Sequence, residues 1–95
     1  METNNEVFKK MEKTEQNIIE SLKKIVLFTD YLTIRFKRAI ISVRGNMYNS
    51  EIGFIGEDIV IDILEKNFVI NFYWKDIKYI QYRDGLKLKI IWFKG

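Results

Sequence analysis

The sequence predicts an α+β protein that is mainly β: an N-terminal amphipathic helix followed by an antiparallel sheet of about seven strands, curled or barrel-like. Three observations lead there. Apolar residues recur at helical spacing as far as Val26. From Tyr31 onward they recur at every second position instead. The strand-like runs follow one another through turns of a few residues, with no room for the helical crossovers that parallel neighbours need. A chain of 95 residues holds one domain, read as a helix over residues 1–28 and a β domain over 31–93.

The helix is expected to open at Thr3, with Glu6 three residues later completing a capping box. Val7, Phe8, Met11, Ile18, Ile19, Leu22, Ile25 and Val26 then line one face, and Lys9, Lys10, Glu12, Lys13, Gln16, Lys23 and Lys24 the other. The stripe is interrupted at Thr14–Glu15, too early for a sustained coiled-coil seam. Packing on its own sheet is the simplest use of such a helix, and pairing with a second copy is the other.

In the β domain, Leu32, Ile34 and Phe36 alternate with Thr33, Arg35 and Lys37. The apolar phase then slips to Ala39, Ile41 and Val43, so a tight turn or bulge is expected at Lys37–Arg38. Gly45–Asn46 is a turn signal, Ile52 and Phe54 belong to the next strand, and 56–58 turns the chain again. Ile59, Ile61 and Ile63 make the next apolar face; Phe68, Ile70 and Phe72 make another, and Ile77 starts a further strand. Asp84–Gly85 reads as a two-residue hairpin, after which Leu86, Leu88, Ile90 and Trp92 are expected to face inward.

Composition narrows the function. Apolar residues make up 47% of the chain and aromatic residues 15%, which fits a packed core and not disorder. There is no cysteine and no histidine. The commonest thiol nucleophile, general base and transition-metal ligands are therefore missing, and no catalytic residue, metal or cofactor is expected. No Gly-rich phosphate loop or nucleophile elbow is present. The first residues lack a secretory pattern, and the early apolar run at 25–28 is too short to cross a bilayer, so a cytoplasmic location is expected. A net charge of +3 allows an anionic partner without demanding one.

Two groups stand out as candidate binding residues. Arg35, Lys37, Arg38 and Arg44 lie close together with no acid among them, a pattern that suits a partner or a phosphate group, whether on lipid or nucleic acid. They suit equally a solvated strand face guarded by cations. The second group is aromatic: Tyr73, Trp74, Tyr79 and Phe93, interleaved with lysines. Alternation places Tyr73 and Phe93 opposite their strands' core residues. Such a surface serves as a hot spot for a protein or a stacking platform for single-stranded nucleic acid, or it forms a second buried layer under the helix. The carboxylates Glu51, Glu57, Asp58, Asp62 and Glu65 have no metal-loop spacing and read as outward strand residues.

Over about residues 38–93, and most closely from Glu51 onward, the chain resembles the bacterial and archaeal pleckstrin-homology-like (PH-like) domains, GRAM-type included. The residues that carry the likeness are Ile52 to Ile61, Phe68-Val69-Ile70, Tyr73-Trp74-Lys75-Asp76-Ile77-Lys78-Tyr79-Ile80 and Gly85-Leu86-Lys87-Leu88. The resemblance implies a β-barrel scaffold for protein or lipid contacts without catalysis, with Arg35, Lys37 and Arg38 near the hairpin where relatives carry basic residues. Such folds close with a C-terminal helix, whereas here the helix is expected at the other end. The expectation is a non-enzymatic interaction module, an adaptor or small inhibitor that binds a larger protein. A nucleic-acid-binding barrel is the alternative, and a membrane surface is a weaker third.

Overall fold

The computed structural model describes residues 7–95. Among them one helix and eight strands follow in the order β1 (Val7–Glu12), α1 (Glu15–Ile25), β2 (Tyr31–Phe36), β3 (Ile40–Arg44), β4 (Ser50–Ile55), β5 (Asp58–Ile63), β6 (Phe68–Tyr73), β7 (Ile77–Asp84) and β8 (Lys87–Lys94). The protein is mainly β, as the alternation predicts.

The helical reading of residues 7–14 is corrected. Val7–Glu12 is a strand, running parallel to β8 from Val7 opposite Lys89 to Glu12 opposite Lys94. Pairing with the otherwise free edge of β8 supplies a ladder of backbone hydrogen bonds that local helical periodicity does not outweigh. The Thr3–Glu6 box lies outside the described residues. The helix begins where the apolar stripe breaks. Thr14 is extended, and its Oγ1 accepts a 3.0 Å hydrogen bond from the Asn17 N–H, the capping geometry of a helix start. Asn17 in turn donates through Nδ2 to the Glu12 carbonyl at 2.9 Å, clamping the strand-to-helix corner. Lys23 and Lys24 in the last turn complement the negative end of the helix dipole.

The single curled sheet of about seven strands is also corrected. There are two sheets and no closed barrel: a five-stranded sheet ordered β1-β8-β7-β2-β3 and a three-stranded sheet ordered β4-β5-β6. The break falls between β3 and β4. There the Gly45 N–H donates to the Asp30 carbonyl at 2.8 Å, and Met47 is fully buried. Gly45 has φ +95°, a conformation that side chains rarely adopt, so it permits the departure from one layer to the other. From β2 to β8 every neighbouring pair is antiparallel.

The core lies between the layers. Leu32, Ile34, Phe36, Ile80, Ile91 and Phe93 come from the large sheet, and Ile59, Ile61, Ile63, Ile70 and Phe72 from the small one. The Phe36 and Phe72 rings meet across the gap at 4.9 Å. Helix α1 completes the second layer with Ile18, Ile19, Leu22 and Ile25, all buried. It abuts β4, and its Ser21 Oγ lies 3.6 Å from Sδ of Met11 on β1. Its apolar face is thereby used within the domain, which closes the β1–β4 side of the sandwich. The opposite side, between edge strands β3 and β6, stays open.

The phase slip at Lys37–Arg38 is the β2–β3 turn, not a bulge. The bulge sits on the partner strand: Arg35 opposes Tyr79 while Phe36 opposes Ile77, leaving Lys78 extra. That lets Ile77 and Ile80 both reach the core. The last hairpin turns on Gly85–Leu86, since Asp84 pairs with Lys87. Gly85, at φ +65°, takes the position where such a turn requires positive φ.

The inward face of β8 is corrected as well. Ile91 and Phe93 enter the main core; of the residues expected there, Ile90 is buried but on the opposite face of the sheet, Leu88 and Trp92 are partly buried, and Leu86 is 90% exposed. The strand is apolar on both parities, so alternation cannot choose between them. Pairing chooses: Ile80, a core residue of β7, stands opposite Ile91.

Candidate protein-binding surface

That parity leaves the outer face of the five-stranded sheet rich in aromatic and apolar side chains. Directly opposed residues share a face, so the register defines its rows. One row runs Lys10, Trp92, Tyr79, Arg35, Ile40 from β1 to β3. The next runs Ile90, Gln81, Thr33, Ser42. The third holds Leu88 opposite Arg83 and Tyr31 opposite Arg44.

The side chains on this face are mutually braced. The Tyr79 and Trp92 rings pack at 4.7 Å with an interplanar angle of 58°. The guanidinium groups of Arg44 and Arg83 lie 5.3 and 5.6 Å from the Tyr31 ring centroid, within cation–π range. The Tyr31 hydroxyl accepts from Thr33 Oγ1 at 2.9 Å, and Thr33 Oγ1 lies 2.9 Å from Ser42 Oγ. Arg83 also approaches Asp30 at 3.8 Å, an exposed pair of small energetic weight.

The end of the face is anchored by Thr29, which is buried. Its hydroxyl accepts from the Tyr31 and Arg83 N–H groups, both at 3.2 Å, and lies 2.9 and 2.8 Å from their carbonyl oxygens. It closes the rung beyond the Leu32–Tyr82 pair of the β2–β7 ladder. The backbone that carries Tyr31 and Arg83 is held in place by that contact.

Charge is segregated between the two sheets. The large sheet's outer face carries Lys10, Arg35, Arg44, Arg83 and Lys94, and among the described residues its one carboxylate is Glu12 at the strand end. On the small sheet, Glu51, Asp58 and Asp62 share the outer face with Ile55, Val60 and Val69. Of the acidic stretch, these three are the outward strand residues that the alternation implies. Among the described residues no cluster of three or more carboxylates could hold a metal ion.

The candidate residues divide between two neighbouring surfaces. Arg35, Arg44 and Tyr79 sit on the sheet face with Trp92, which was expected to face inward, and with Tyr31 and Arg83, which the sequence reading did not single out. Lys37, Arg38 and Tyr73 line a groove of about 410 Å³ on the open β3–β6 side, floored by Phe36, Ile41 and Phe72. Trp74 is half-buried against the core, with the Lys75 ammonium 5.5 Å from its ring, beside Lys13 and Lys37. Phe93 does not belong to a contact surface. It is 5% exposed, in the core, because the parity of β8 is the reverse of the one expected. Pairing across β7, absent from any local sequence signal, is what united Tyr31, Tyr79 and Trp92.

Among the described residues no helix is long and apolar enough to cross a membrane. Compared with known proteins, the chain matches no family model, no curated sequence and no solved structure.

Proposed function

We propose that this protein is a non-enzymatic interaction module, an adaptor or small inhibitor, that binds an acidic surface of a larger protein through the outer face of its five-stranded sheet. One observation carries the reading. The outer face of the sheet holds the partly exposed Tyr31, Tyr79 and Trp92 on its three central strands, set among Arg35, Arg44 and Arg83. Tyr, Trp and Arg are the residues that dominate binding energy at protein interfaces, whereas the solvated face of a sheet ordinarily alternates small polar and charged groups. The contacts among them fix their rotamers before binding, which lowers the entropy lost on association.

Nucleic acid fits this face less well. Stacking a base needs a free ring face, and here Arg44 and Arg83 both lie within cation–π range of Tyr31 while Trp92 packs on Tyr79. The resemblance to PH-like domains seen in the sequence would also imply a protein-binding scaffold, and the proposal does not rest on it.

The test is affinity capture from native lysate with the wild-type chain and with Arg35→Glu/Arg44→Glu. Both arginines reach solvent, so the variant retains the fold, as circular dichroism will verify. A stoichiometric protein partner captured by the wild type and lost with the variant supports the proposal. Undiminished capture by the variant overturns it. So does tight binding of single-stranded oligonucleotides with a steep salt dependence.

A further inference from the structure

We propose that the free edge of β3 accepts an extended acidic segment of a protein partner as an added strand, with one apolar side chain of that segment seated in the β3–β6 groove. This goes beyond the sheet-face reading, because it rests on main-chain groups and on a different set of side chains.

The argument starts from the ladder. Among the described residues β3 is the outermost strand of its sheet and pairs only with β2. The Phe36 N–H donates to the Ala39 carbonyl at 2.8 Å, and the Gly45 N–H to the Asp30 carbonyl. These bonds fix which pairs exchange hydrogen bonds, since antiparallel pairs alternate. Val43 opposite Leu32 and Ile41 opposite Ile34 bond inward. The N–H and C=O groups of Ile40, Ser42 and Arg44 therefore point away from the sheet, and all three residues are exposed.

Natural edge strands are usually blunted by proline, by a bulge or by an inward charge. None of these devices is present in the Ile40-Ile41-Ser42-Val43-Arg44 edge. An added strand would hydrogen-bond to Ile40, Ser42 and Arg44 and alternate its side chains between the two faces. Those on the inner side would meet Ile41 and the apolar floor made by Phe36 and Phe72. A groove of about 410 Å³ accommodates a large aliphatic or aromatic side chain.

Charge selects the occupant. Lys37 and Arg38 stand at one end of this edge and Arg44 at the other, and Asp76 is the carboxylate that lines the groove. A segment alternating apolar residues with Asp or Glu would place carboxylates within reach of these cations. Of the other edges, β4 is abutted by α1 and β6 carries no cation, while β1 carries Lys9 and Lys10 but lies on the far side of the sheet from the β3–β6 groove. Strand addition with alternate side chains in pockets is an established mode of peptide recognition.

The experiment is selection from a phage-displayed library of random decapeptides against the full chain. The expected result is enrichment of peptides that alternate apolar and acidic residues. A synthetic enriched peptide should slow hydrogen exchange at the amides of Ile40, Ser42 and Arg44. Ser42→Pro removes one outward donor and the hydroxyl contact to Thr33 but no backbone bond of the β2 ladder, and should weaken peptide binding roughly tenfold, as should Lys37→Glu/Arg38→Glu. No enrichment, enriched peptides lacking acids, or exchange protection confined to another strand would each overturn the proposal. If Ser42→Pro fails to fold, the exchange pattern of the wild type decides.

Discussion

Thr29→Val separates a buried polar contact from burial itself. Valine has nearly the shape of threonine, so no cavity opens. The hydroxyl, however, serves backbone groups of Tyr31 and Arg83 that are shielded by a residue only 2% exposed. Losing it strands two backbone N–H groups, each at a cost of about 1–3 kcal/mol. The added methyl recovers about 0.8 kcal/mol of apolar burial. The net expected loss is about 1–5 kcal/mol, a fall in Tm of roughly 5–40 °C for a domain of this size. Thr33→Val is the matched control. Thr33 is 3% exposed, but its partners are the hydroxyls of Tyr31 and Ser42, side chains that can rotate to water. Its loss should be about 1 kcal/mol or less. Thermal unfolding followed by circular dichroism reads both. Equal losses in the two variants, or a drop below about 3 °C for Thr29→Val, would refute the view that the hydroxyl closes the β2–β7 ladder.

Other expectations follow from the same geometry. Thr14→Ala removes the cap of α1 and should lower stability by about 1 kcal/mol in urea unfolding; an unchanged midpoint would argue against the helix starting there. Ile61→Ala, in the sealed core, should lose about 2–5 kcal/mol, whereas Ile55→Ala, at a site 68% exposed, should be nearly neutral in the same assay. The pH profile is set by two groups. Burial raises the Tyr82 hydroxyl above its ordinary 10.0, and the hydrogen bond to Asp84 raises the Lys89 ammonium above 10.5. Above pH 10 the folded chain therefore holds more protons than the unfolded one. This share of stability is intact below that pH and lost as pH rises through the raised values. Tm measured from neutral to strongly alkaline pH should fall on the alkaline side, and less steeply for Tyr82→Phe.

Much of this molecule is legible from residue order, because much of it is local. The strands from Tyr31 onward, the turn at Lys37–Arg38 and the buried trio Ile59, Ile61 and Ile63 follow from alternation and turn chemistry. So does the use of the helix's apolar stripe within the domain. Even the start of α1 was written at Thr14, as the break in the stripe. What local patterns could not decide were choices between equivalent options. Val7–Glu12 reads as helix until β8 offers a strand edge. β8 is apolar on both parities, and only Ile80 across the ladder turns Ile91 and Phe93 inward and Trp92 outward. Whether eight short strands curl into one sheet or part into two depends on the crossing at Gly45–Met47. The binding face depends on all three choices. Tyr31, Tyr79 and Trp92 lie far apart in the chain and meet only through register, a long-range property that a single strand's sequence does not encode.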